Sequence, residues 1–137
     1  MNKASPTQTW PAFYPEGVPP ADATPTRGTA YRLVPAVPPS QADFRSTHEE
    51  FPERQYPDEH NFINSFGASF HMTLEASRIC RRRYKGLRSH RIVVGTFASS
   101  MGCQKPTYGP GHLSVWLYVE AAPHREFTRD AEGTSVQ

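Results

Sequence analysis

Proline placement constrains this chain most. Nine of its 14 prolines fall in the first 39 of 137 residues, and six of those lie in residues 1–28. Each proline removes a backbone donor and fixes φ, so such a stretch supports neither a helix nor an inner strand. Residues 1–28 therefore read as a Pro-rich, extended and disordered tail. Trp10, Phe13 and Tyr14 stand in this tail. They are either incidental aromatics or a short docking segment, for this domain or for a protein partner. The rest of the chain is long enough for one hydrophobic core. We read residues 29–128 as a single domain and residues 129–137 as a C-terminal tail.

Within 29–128 the patterning predicts an α+β fold: a small, mostly antiparallel sheet or sheets, one main helix and long loops. Ala30 to Val34 is the first strand candidate, ended by Pro35, Pro38 and Pro39. Residues 40–60 are polar and locally acidic; Ser46 followed by Glu49 has the form of a capping box. Ala68, Phe70 and Met72 alternate with Ser69, His71 and Thr73, which predicts a strand with one apolar and one polar face. A helix over about 73–85 follows. Thr73 can cap it, Glu75 complements its dipole, and Gly86 can stop it. Leu74, Ala76, Ile79, Cys80, Tyr84 and Leu87 supply its apolar stripe. Residues 91–97 form a strand by β-branched content, and 98–111 read as a loop. His112 to Glu120 alternates again, with Leu113, Val115, Leu117 and Val119 opposite His112, Ser114, Trp116, Tyr118 and Glu120.

Composition removes several function classes. No apolar run approaches the ~18–20 residues of a membrane span, so no membrane partner is expected. The N-terminus has one lysine and no apolar core, unlike a secretory signal, which predicts a cytoplasmic location. The net charge of +2 exerts no overall pull toward polyanions. Six histidines and two cysteines form no local ligand pair, so no metal site is expected. Cys103 with His112 or His71 is a weak nucleophile pair.

Two groups of residues carry chemistry. Arg78, Arg81, Arg82, Arg83, Lys85, Arg88 and Arg91 lie within fourteen residues without an acid. They are either a phosphate-binding patch for nucleic acid or a solvated helix face, neutralised by the acids at 43–59. No aromatic is interleaved closely enough for a single-strand stacking platform. The second group is distributed. Tyr31 and Leu33 read as buried, so Arg32 points to the opposite face. If that face joins the polar faces of the later strands, one cleft gathers Arg32, Ser69, His71, Thr73, His112, Ser114 and Trp116. A guanidinium grips phosphate and aromatics stack on bases, which suits a nucleotide. The alternative is that these faces merely meet solvent or the tail.

The order Tyr31-Arg32, Asp43-Phe44, Ser46, Gly67-Ala68-Ser69-Phe70, Thr73-Leu74-Glu75-Ala76, Gly111-His112 and Trp116 resembles a group of small uncharacterised bacterial proteins. More remotely, it is similar to the ADP-ribosyltransferase-like fold. That resemblance implies an NAD-binding cleft between two small sheets. It implies an early strand carrying Arg32, then Ser69 to Thr73 running into a helix, then a later polar residue, here His112. On it, Arg32 and His112 would be catalytic, and Ser69, His71, Thr73 and Trp116 would line the nucleotide pocket. NAD would be the cofactor, and the activity a toxin-like transferase. The rival readings are a nucleic-acid-binding module, using the basic residues of 78–91, and a protein-interaction module using the N-terminal tail.

Overall fold

The computed structural model of the chain describes residues 8–133. Its centre is one antiparallel sheet of seven strands: β1 (Thr24–Pro25), β2 (Gly28–Val34), β3 (Ala68–His71), β4 (Arg91–Phe97), β5 (Gly102–Pro106), β6 (His112–Leu117) and β7 (Arg129–Asp130). Their spatial order is β1-β5-β6-β3-β2-β4-β7. The strands join in this one sheet, where the resemblance implied two small ones. Four α-helices lie among the described residues: α1 (Thr47–Glu50), α2 (Glu59–Asn64), α3 (Leu74–Arg83) and α4 (Pro123–Glu126).

Alternation decides what each sheet face buries. One face presents Ala30, Val34, Ala68, Phe70, Val93, Leu113 and Val115 to the main core, closed from outside by Phe44, Met101 and Phe127. The other face is covered by α3, which packs on β2, β3 and β4, and by a second cluster of Val18, Phe66 and Trp116.

Several elements differ from the sequence reading. Residues 98–111 hold β5 as well as loop, because Gly102 to Pro106 pairs with β6 residue for residue. Helix α3 is capped by the Thr73 hydroxyl, which accepts from the Ala76 N–H at 3.1 Å. It stops at Tyr84, whose backbone turns extended, before Gly86 is reached. Its buried residue is Ser77, whereas Ile79 and Tyr84 of the supposed apolar stripe are exposed. The capping box at Ser46 forms, with the Glu49 carboxylate accepting from the Ser46 N–H at 2.9 Å.

The first and last described segments both join the domain. Residues 1–7 of the proline-rich segment lie outside the described residues, and residues 8–28 lie against the sheet. Trp10 stacks on Tyr118 at 4.1 Å, Tyr14 donates to the Phe66 carbonyl at 3.2 Å, and Val18 is buried. Prolines exclude a helix here but permit a strap of tight turns, closed by the Tyr14, Val18 and Ala23 N–H groups donating to the Pro11, Pro15 and Pro20 carbonyls and held by its aromatics. At the other end, β7 pairs with β4 and Phe127 is fully buried. Residues 129–133 thus continue the domain.

Gly95 is where the C-terminal segment comes closest. A Cβ there would stand 2.7 Å from both the Glu126 carbonyl oxygen and the Phe127 ring. Gly95→Ala should therefore push α4 off the sheet and cost about 1–3 kcal/mol. Urea unfolding checks this; an unchanged midpoint would show that the segment carries no stability.

Candidate functional site

Three neighbouring strands build the site. Antiparallel register sets Tyr31 of β2 opposite His71 of β3, and His71 opposite His112 of β6. Paired residues share a sheet face, so the three form one row. The next row holds Ser69 opposite Ser114 and Ser114 opposite Lys105. The polar sides of β3 and β6 thus lie side by side.

Hydroxyls hold both imidazoles. His71 Nδ1 bonds Ser77 Oγ at 2.8 Å. His112 Nδ1 bonds Thr107 Oγ1 at 2.9 Å, and Thr107 Oγ1 bonds Ser114 Oγ at 2.7 Å. The two rings meet edge to face, with centroids 5.6 Å apart. Tyr108, at φ 59°, sets its ring 5.0 Å from His112. Gly111, at φ +84°, leaves room for α3: a Cβ there would stand 2.7 Å from the Ala76 methyl.

Burial keeps this row neutral. It pushes the His71 imidazole down to about 4, with His112 and then Arg32 as further causes. Burial also lowers His112. Both rings are then uncharged near pH 7, each able to accept one proton and donate another. Such a pair, with hydroxyls behind it, can take a proton from a substrate hydroxyl or water.

Arg32 lies on the other face. Its burial matches Ala30 and Val34, while Tyr31 shares the histidine row. The expected alternation is inverted because the guanidinium finds partners inside. Nε and Nη2 donate to the Asp43 carbonyl at 2.9 and 2.8 Å, Nη2 also to Arg45 O at 3.2 Å, and Nη1 to Ser69 O at 2.6 Å. Phe44 and Phe70 each lie 5.4 Å from its central carbon. Desolvation pushes it down to about 10, still protonated at neutral pH. Arg32 is thus a clip inside the core and does not join the histidines.

Trp116 is also placed elsewhere. Its ring is fully buried under the strap, and its Nε1 donates to the Ile63 carbonyl at 3.3 Å. It presents no free face for stacking. Thr73 is spent as the helix cap. Cys103 pairs across to Trp116, and burial raises its thiol, the reverse of activation. The basic segment divides. Arg78 and Arg81 bind Glu132, Arg82 meets Glu75, and Arg91 meets Asp130. These carboxylates are not the acids at 43–59. Arg83, Lys85 and Arg88 are exposed.

The sequence reading missed Tyr31, Ser77, Thr107 and Tyr108. A hairpin drawn through residues 102–117 would have set Thr107 beside His112. Two open cavities lie elsewhere: about 520 Å³ beside Tyr56 and Phe62, and about 440 Å³ beside Met101 and Tyr118. Neither is lined by the histidine row. No family model, curated protein or solved structure matches the chain.

Two outcomes follow from this geometry. Arg32→Met leaves the carbonyls of Asp43, Arg45 and Ser69 without their donor, and should cost about 3 kcal/mol or more. Arg32→Lys should not restore it, because an ammonium lacks the planar fork. Urea unfolding of both variants measures this; a wild-type midpoint in either sinks the clip. For His71, the folded value lies below the unfolded one of 6.5. Between them the unfolded chain holds more protons. Stability is full above about pH 6.5 and falls toward pH 4, by on the order of 2–3 kcal/mol. His71→Gln should flatten that fall, and an NMR titration showing His71 protonating near 6.5 would contradict it.

Proposed function

We propose that this chain is an ADP-ribosyltransferase-like, nucleotide-binding domain that uses NAD or a related phosphate-bearing nucleotide as substrate. The observation that carries this reading is the row Tyr31–His71–His112 across three adjacent strands. The strand order supports it: an early strand lies beside one that runs into a capped helix, and that one lies beside a late strand.

In this reading His112 is the base. Transfer from NAD forms a bond from the acceptor oxygen to the ribose carbon. Nicotinamide leaves with the electron pair of the broken C–N bond, and His112 takes the acceptor's proton. His71, held by Ser77, orients the ribose, and Ser69 and Tyr108 border the nucleoside. Arg32 has no contact role, because its guanidinium is committed to backbone carbonyls. A protein or nucleic-acid hydroxyl as acceptor would make the activity that of a toxin-like transferase.

Ligand-observed NMR of NAD tests the proposal. The wild-type chain should broaden the NAD resonances and release nicotinamide over hours. His112→Ala should abolish release, with a fold that matches wild type by amide spectrum. No broadening of NAD, ADP-ribose or ATP by the folded wild-type protein would overturn the reading.

A further inference from the structure

The end of α3 differs from the rest of the basic segment. Three of its cations, Arg83, Lys85 and Arg88, form no ion pair with a carboxylate among the described residues, whereas Arg78, Arg81, Arg82 and Arg91 do. Glu132 bridges two of those paired arginines, and Arg78 and Arg81 hold its carboxyl down at about 2. The neutralised and the free cations are therefore separate groups.

Tyr84 sits within the free group. Helical periodicity assigns it to the buried stripe, but the helix ends at this residue, with φ −110° and ψ 118°. The change of backbone direction leaves Tyr84 54% exposed. A short 3₁₀ turn, Lys85–Leu87, follows at once. It is closed by the Leu87 N–H donating to the Tyr84 carbonyl at 2.9 Å, and by the Arg88 N–H donating to Lys85 at 3.3 Å. These bonds keep the exposed ring and its three cations in one compact knuckle.

We propose that this knuckle binds single-stranded nucleic acid, with Arg83, Lys85 and Arg88 on successive phosphates and Tyr84 stacked on a base. The unpaired cations supply a sequence-independent attraction to the backbone. The ring supplies what a bare cationic surface lacks, a flat apolar face that any unpaired base can cover. A duplex hides its bases from such a ring, so the pairing of ring and cations favours a single strand. Other polyanions offer charge alone.

Fluorescence anisotropy with a labelled twelve-nucleotide oligothymidylate and the full chain tests this. Affinity should fall with salt at a slope of about −2, the value for three phosphates on a single strand. Combined Arg83→Gln, Lys85→Gln and Arg88→Gln substitution should abolish that slope. Tyr84→Ala should weaken binding about tenfold with the slope unchanged, and Tyr84→Phe should restore it. These side chains are exposed, so the variants should unfold as wild type does. No binding at 50 mM salt would overturn the proposal. So would binding that Tyr84→Ala leaves unaltered, or that a duplex or heparin competes for equally well; either would mark attraction by charge alone.

Discussion

The Arg32 guanidinium is the contact on which the rest of the structure depends. Strands β2 and β4 stay in register over seven residue pairs, and β3 and β6 over four, but β2 and β3 share one. The two halves of the sheet are therefore joined through a single register pair. Arg32 on β2 also bonds the Ser69 carbonyl on β3, and with its other arm takes the carbonyls of Asp43 and Arg45. One side chain thus adds a link between the two strands and fastens the connection that carries Phe44 into the core. Charge burial is costly, and no carboxylate meets this cation directly. Three carbonyls and two ring faces offset that cost, with the Glu50 and Asp43 carboxylates favouring the charge from further off. The one register pair that remains, Tyr31 with His71, is the one that sets the histidine row.

Both faces of the sheet need cover, and the segments 8–26 and 123–127 supply part of it. The strap over residues 8–26 seals Trp116 on one side, and α4 seals the main core with Phe127 on the other. The outermost strands, β1 and β7, are two residues long. Edges this short offer little backbone for pairing with another chain. The C-terminal carboxylates do a second task. Asp130 and Glu132 neutralise Arg91, Arg78 and Arg81, which sets these three apart from Arg83, Lys85 and Arg88.

Local pattern made much of this legible. Alternation assigned the faces of β3 and β6, and the Thr73 cap and β-branched content located α3 and β4. What was not legible depended on distant partners. An arginine between Tyr31 and Leu33 reads as the polar side of its strand, because nothing near it in sequence shows that carbonyls eleven to thirty-seven residues away will accept its protons. Trp116 reads as a free aromatic on a polar face until the proline-rich strap is laid over it. Proline content correctly excludes helix and inner strand there, but it does not forbid a run of tight turns with aromatic anchors. Tyr84 fits the apolar spacing of a longer helix, and only the early stop puts it in water.

The charge pattern that results has a chemical consequence. Burial keeps His71 and His112 uncharged, and the cation on the opposite face, Arg32, adds to the lowering of His71. Burial that keeps the rings neutral also makes them weaker bases than a free imidazole, and a neutral ring attracts an anion only weakly. A phosphate-bearing molecule would therefore be held at the row by hydroxyls and backbone N–H groups, with no formal cation beside the reacting atoms. Arg83, Lys85 and Arg88 lie at and just past the outer end of the helix that covers the row. On the proposed reading, attraction of a polyanion at the surface would thus be separate from proton transfer at the half-buried row.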